Sequence, residues 1–239
     1  MEFTQAFVLH QRPYRETSLL LDVFTADYGR LSLIARGMRR NTRRQNRPVQ
    51  LFQPFWLNWF GKGDLLTVNK MESTSAPFYL QGQAILCGLY INELVVRLLV
   101  RHHPEPLVFE AYLQVLADLQ LAGQPEQALR IFEKRLLEAL GYGLDLQHDQ
   151  HGEPIMEHCY YRYQPDRGLL PCAESHPERI ISGGSLLQLQ QEQLTHSDSL
   201  SETKQLMRLV INYYLDGKPL KSRQLFAEMQ RYVGSKTMN

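Results

Sequence analysis

Cysteine is scarce in this chain. Cys87, Cys159 and Cys172 are the only three among 239 residues, odd in number and widely spaced. No disulfide framework is implied, and a reducing cytoplasm is the expected compartment. Long hydrophobic runs are missing too. The most apolar stretch, Ala84 to Val100, contains Asn92, Glu93 and Arg97, and is too short and too polar to span a bilayer. The opening MEFTQAFVLH carries an acid at position 2 and no basic segment ahead of an apolar run, unlike a secretory signal. Net charge is almost absent, with 26 basic against 25 acidic side chains. Attraction to a polyanion must therefore come from local fields, which salt screens over roughly 8 Å. Catalytic signatures are lacking: no G-x-S-x-G, no P-loop, no H-E-x-x-H and no G-x-G-x-x-G. A non-enzymatic protein without a cofactor is expected, and not an ATP-driven motor.

One local absence is the most informative. Between Asp27 and Asp64 there is no acidic residue, while Tyr28 to Gly63 holds eight basic ones. They are Arg30, Arg36, Arg39, Arg40, Arg43, Arg44, Arg47 and Lys62. A solubility surface mixes signs, whereas a one-sign patch suits a polyanion. Arginine also favours phosphate, because its planar fork donates two parallel hydrogen bonds.

Three regions follow one another. Residues 1–77 alternate apolar and polar side chains with period two, in AFVLH, TSLLLDVFT, RLSLIAR, PFWLNWF and DLLTVNKME. Turn signals such as YGR and GKGD separate them, so five short strands are expected. Without room for a helical layer they predict a small closed barrel, of OB type or SH3-like. Residues 78–239 form a helical domain. QAILCGLYINELVVRLLV, PLVFEAYLQVLADLQLAG and PEQALRIFEKRLLEALGYG read as three helices, with Glu93 and Arg97 spaced to pair on the first. An irregular insert around 145–182, rich in His, Pro and Gly, precedes three further helices. The second of these is expected to open at Ser201. The fold class is thus α+β.

The arginine stretch falls between the third and fourth strands. Aromatic residues crowd the strand after it. Phe55, Leu57 and Trp59 share one face and belong to the core. Trp56 and Phe60 lie on the other and are the candidates for stacking on bases, as aromatic side chains do where single strands bind. A second basic group, Lys218, Lys221 and Arg223, flanks a helix start, where cations are unfavourable beside the helix dipole and hint at an outside anion. His148 and His151, with Cys172 and His176 some twenty residues on, have the rough layout of paired zinc ligands. Their second spacing is irregular, and His158 and Cys159 offer rival ligands.

The segments AFVLHQRPYRETSLLLDVFTADYGRLSLIARGMRR, LYINELVVRLL, RIFEKRLLEALGYG and GKPLKSRQLF resemble the RecO family of bacterial recombination mediators, of gamma-proteobacterial type, over about Ala6 to Phe226. The resemblance implies an N-terminal OB domain, a helical bundle and a C-terminal part that carries a four-cysteine zinc site in many relatives. Here His148, His151, Cys172 and Ser175 or His176 stand at those places, so the cysteine pattern is degenerate and no zinc is assigned. The resemblance also implies binding of single- and double-stranded DNA, annealing of complementary strands, and help in loading RecA onto strands coated by the single-stranded DNA-binding protein (SSB). Its implied partners are RecR and the acidic, phenylalanine-ended SSB tail, with Arg130 as the candidate cation for the tail's carboxylate. A pure protein adaptor and an RNA-binding barrel are the alternatives.

Overall fold

The structure, a computed structural model, describes residues 2–38, 49–121 and 123–236. Its contacts group into two compact units, Met1–Ala122 with Leu220–Asn239, and Gly123–Pro219. Helices that follow residue 77 thus share a unit with the strands, whereas element type alone places a boundary there.

Five strands form in the first unit: β1 Thr4–Tyr14, β2 Ser18–Thr25, β3 Gly29–Ala35, β4 Pro54–Phe60 and β5 Leu65–Ser73. They close into a barrel of order β1-β2-β3-β5-β4. β3 and β5 run parallel, and the other pairs, including the closing β1–β4 pair, are antiparallel. Parallel β3–β5 pairing within this order is the OB arrangement and removes the SH3-like alternative. Alternation does what the sequence predicts. Val8, Leu21, Val23, Leu31, Leu33, Leu57, Trp59 and Leu66 meet inside the barrel. Bulges between Val8 and His10 and between Asn58 and Trp59 bend the sheet toward closure.

Two outward residues are nevertheless fully buried. Phe7 and Phe24 face each other across β1 and β2 and pack on Phe109 and Tyr112 of α2 (Pro106–Gln120), with centroids 5.1–6.0 Å apart. A polar chain secures this contact. The Tyr112 hydroxyl donates to Asn92 Oδ1 at 2.8 Å, and Asn92 Nδ2 donates to the Leu9 carbonyl at 3.0 Å. Asn92 lies on α1 (Gln83–Leu98), so one amide ties β1, α1 and α2 together.

The connection from α1 to α2 also joins the barrel. Arg101 forms a parallel bridge with Arg30 at the start of β3, and His102 N–H donates to the Arg30 carbonyl at 3.0 Å. Gly29 makes this approach possible. Its φ is +67°, and an added Cβ would lie 1.9 Å from the His103 carbonyl oxygen. Gly29→Ala is expected to destabilise the first unit by roughly 3 kcal/mol or more, through strain and displacement of the connection. Urea denaturation checks it, and a loss below about 1 kcal/mol would refute the close approach.

The second unit contains α3 (Pro125–Ala139), α4 (Gly183–Gln190), α5 (Ser197–Tyr214) and a sheet of order β7-β6-β8, with β6 Tyr160–Gln164, β7 Gly168–Cys172 and β8 Ile181–Ser182. This sheet occupies the place where the resemblance puts a zinc-finger-like insert. Ser182 caps α4 by accepting from Ser185 N–H. α5 begins at Ser197 rather than at Ser201. Asp198 in its first turn suits the dipole, and Ser199 is drawn inward by a hydrogen bond from the Ser185 hydroxyl.

α6 (Lys221–Lys236) belongs to the first unit again, packed on α1. The anion at its N-terminus is internal. The Glu93 carboxylate accepts from the N–H groups of Lys221 and Ser222 at 2.9 and 2.8 Å, and from the Ser222 hydroxyl at 2.6 Å. Burial pushes this carboxyl up, but those donors and the Arg97 charge outweigh it, and the net pKa is lowered. Glu93 therefore serves α6, beyond the Arg97 pairing that sequence spacing suggests.

Candidate nucleic-acid interface

Where the barrel wall is not covered by α2, cross-strand register sets side chains in rows. Arg12 is opposite Leu20, Leu20 opposite Ile34, Ile34 opposite Thr67, and Thr67 opposite Phe60. All of these lie on the outward side of their strands, because their neighbours Leu19, Leu21, Leu33, Leu66 and Trp59 point inward. The row thus runs from a cation, over two aliphatic residues and a hydroxyl, to an aromatic ring. Phe60 is 52% exposed, and Arg12 is exposed. One step along, Tyr14 faces Ser18, the Arg15 guanidinium lies 5.3 Å over the Tyr14 ring, and exposed Arg36 follows β3 directly. Exposed Lys62 follows Phe60 in the β4–β5 turn. Cations and an aromatic ring on one wall can hold a sugar-phosphate chain and stack its bases.

The two candidate stacking residues part company. Trp56, 47% exposed, is opposite Gln5 and Glu72. Glu72 pairs with Lys70 at 2.7 Å, and Lys70 lies 5.7 Å over the Phe3 ring. Trp56 thus stands among paired charges, whereas Phe60 stands in the row that leads to Arg12. Arg39, Arg40, Arg43, Arg44 and Arg47 lie outside the described residues.

Arg30 is half-buried, its Nε and Nη2 donating to the Leu99 carbonyl at 3.3 and 3.1 Å. Burial first, then the neighbouring Arg101 charge, lowers its pKa, against a smaller opposing pull from Asp22. Lys218 is exposed, 3.7 Å from the Asp216 carboxylate. Lys221 is exposed, and Arg223 lies over the Tyr90 ring at 5.5 Å and donates to its hydroxyl at 3.2 Å. Arg130 does not offer a surface cation. It is 6% exposed on the buried side of α3, 3.0 Å from Glu133, itself 1% exposed. Further along α3, Lys134 and Arg135 both grip Glu192, and the Arg135 hydrogen bond leads in holding that carboxyl below its usual range.

The histidine and cysteine candidates do not converge. His148 Nδ1 is 3.2 Å from Asp145, His151 Nε2 is 2.8 Å from the Gln150 amide, and His176 Nδ1 accepts from Glu178 N–H at 3.0 Å. Burial raises the Cys172 thiol pKa against the pull of Arg162 and Arg179. Among the described residues no group of three or more His, Cys, Asp and Glu side chains is arranged to hold a metal ion, so these residues do not fit a zinc site. No described helix is long and apolar enough to cross a membrane.

Sequence reasoning passed over Arg12 and Arg15 as contacts, although HQRPYRE holds both. The row that links Arg12, with Arg15 just past it, to Ile34 and Phe60 depends on register across five strands, which no local pattern states.

Two family models match the chain. "Recombination protein O N terminal" covers residues 1–77, and "Recombination protein O C terminal" covers residues 80–224. Among curated relatives, a protein of Coxiella burnetii (strain RSA 493 / Nine Mile phase I) described as "DNA repair protein RecO" is 44% identical over 223 residues, covering 92% of this chain and 95% of its own. Relatives with the same description are 40% identical in Azoarcus sp. (strain BH72), over 94% of each chain, and 38% identical in Aliivibrio fischeri (strain ATCC 700601 / ES114), over 96% of this chain and 97% of that one.

Proposed function

Because the chain belongs to the RecO family of DNA repair proteins, we propose that it acts without catalysis, binding single- and double-stranded DNA and annealing complementary strands. With RecR it would help RecA load onto SSB-coated single strands in the cytoplasm. The observation that supports this most is the outward row from Arg12 to Phe60, which adjoins the acid-free arginine stretch beginning at Arg36. Arg36, Arg39, Arg40, Arg43, Arg44, Arg47 and Lys62, with Arg12 and Arg15, neutralise phosphates. That neutralisation lets two like-charged strands approach. Phe60 stacks on a base and keeps it unpaired until a complement arrives. None of these contacts reads a base edge, so binding is blind to sequence and yields to pairing. Lys218 and Lys221 supply further cations, whereas Arg223 is engaged with Tyr90.

The SSB tail requires an apolar groove and a cation for its terminal carboxylate. Arg130, the candidate for that cation, is 6% exposed and paired with Glu133, so the tail reaches it only where that pair opens.

The test is annealing of complementary oligonucleotides, bare and SSB-coated, by the purified protein. Wild type should accelerate both reactions. Phe60→Ala should weaken single-strand binding roughly 5- to 150-fold, the range for one stacked base, and slow annealing. Trp56→Ala should stay within about twofold, since its neighbours are paired charges. Absence of DNA binding near 150 mM salt would leave a protein adaptor, and preference for RNA over DNA of equal length would leave an RNA-binding barrel.

A further inference from the structure

A second cationic feature lies where the α1–α2 connection runs beside β3. Arg30 and Arg101 are partners in a parallel bridge. Residues so paired set their side chains on the same side of neighbouring strands, with backbones about 4.8 Å apart. Two guanidinium-bearing side chains are therefore brought together by main-chain geometry, not by sequence proximity.

The local structure keeps them there. The His102 N–H bonds the Arg30 carbonyl, and His102 has φ +60°, a left-handed turn for a residue with a side chain. The Arg30 guanidinium is oriented by the Leu99 carbonyl at the end of α1, through Nε and Nη2. This leaves Nη1 and the rest of its fork to donate elsewhere. Arg101 is exposed, and among the described residues no carboxylate pairs with it. Two acids of the neighbouring segments have partners of their own. Asp22 accepts from the Ser32 hydroxyl at 2.9 Å and lies 3.8 Å from His10, and Glu105 is 3.0 Å from His103. Burial is the main cause of the lowered pKa of Arg30, and the Arg101 charge adds to it against a smaller pull from Asp22.

Resting on the functional reading above, we propose that Arg30 and Arg101 together clasp one backbone phosphate of a bound nucleic-acid strand. Arg30 is the preorientated half, fixed on Leu99. Arg101 is the exposed half, free to close over a phosphate oxygen. The clasp lies beyond the Phe24 end of the outward wall, which α2 covers, so it is separate from the Arg12–Phe60 row. It suits the second strand in annealing, or the continuation of the first past the barrel. Bidentate arginine contact of this kind is chemically matched to phosphate.

Arg101→Ala tests it, because its side chain is exposed and the bridge uses only its backbone. The variant should melt as wild type does. Its single-strand affinity should fall about tenfold, and its log-affinity against log-salt slope should be shallower by about 0.7, the value for one lost phosphate contact. Arg101→Lys should recover the slope while leaving part of the affinity loss, since lysine keeps the charge without the fork. In NMR of the arginine Nε–H groups, inorganic phosphate should shift Arg30 and Arg101 while chloride at equal ionic strength does not. If wild type binds no DNA, the functional reading falls. If it binds DNA and Arg101→Ala matches it in affinity and slope, the clasp alone is overturned. Phosphate-induced shifts together with wild-type DNA binding by Arg101→Ala would mark a free-phosphate site instead, which also overturns the clasp.

Discussion

Raising salt from about 50 to about 200 mM should weaken single-stranded DNA binding by at least about 300-fold. The figure follows from counterion release, with one phosphate neutralised by each arginine from Arg36 to Arg47 and a slope of about −0.7 per contact on single strands. The six contacts of this stretch alone contribute a slope of about −4, which over a fourfold change in salt is about two and a half decades. Arg39→Glu with Arg40→Glu removes two contacts, so the same change in salt should weaken its binding about sevenfold less than it weakens that of the wild type. That variant should also bind more weakly at every salt concentration, because it presents repulsive charges. Fluorescence anisotropy of a labelled oligonucleotide across the salt range measures both quantities. The near-neutral chain makes the test sharp, since with a net charge of +1 a steep slope cannot come from the protein as a whole. A wild-type slope shallower than about −2, or an unchanged slope in the variant, would remove the arginine stretch from the interface. Binding of an SSB tail peptide should be indifferent to both substitutions.

Glu133→Ala should destabilise the second unit by about 3–5 kcal/mol. It leaves the Arg130 guanidinium buried without its carboxylate, and an uncompensated buried charge costs far more than the intact pair contributes. Arg130 Nε already lacks a hydrogen-bond partner among the described residues, so the Glu133 contact carries most of its compensation. The double change Arg130→Met with Glu133→Leu should return stability to near wild type, because apolar residues of similar volume avoid the desolvation penalty. Urea unfolding followed by circular dichroism measures all three proteins. A loss below about 1 kcal/mol for Glu133→Ala would mean that the pair is solvated. The double variant also decides the role of Arg130 in tail binding. It should fold yet lose affinity for the phenylalanine-ended tail, and unimpaired peptide binding would assign that carboxylate to another cation.

These expectations differ in how far they can be read along the chain. The five strands and their inward faces were legible because burial in a two-sided strand imposes period two on the sequence itself. Leu31, Leu33 and Ala35 alternate with Arg30, Ser32, Ile34 and Arg36, and the barrel observes that alternation. Phe7 and Phe24 were not legible as buried. Their outward positions are covered by α2, more than eighty residues away, and no local pattern reports a distant lid. Charges misled for a related reason. Glu93 and Arg97 have helical pairing spacing, yet the Glu93 carboxylate caps α6 from across the first unit. Arg130 was read as a surface cation within RIFEKR, though it shares the buried face of α3 with Leu129, Phe132 and Glu133. The zinc question turned on distance in the same way. Spacing proposed His148, His151, Cys172 and His176, and each histidine engages a neighbouring polar group instead.

By itself the amino-acid order determined where strands and helices form, which strand faces turn inward, and that a run of guanidinium groups lacks acids nearby. Those properties depend on neighbours within a few positions, through backbone geometry and local periodicity. Tertiary structure alone decided which cations keep a partner inside the protein and which stay open to an outside anion. It closed Arg130 on Glu133, set Arg12 and Phe60 at the two ends of one outward row, and drew Arg101 alongside Arg30. The reason is that ion pairs and hydrogen bonds act over a few ångströms of space, whatever the separation along the chain.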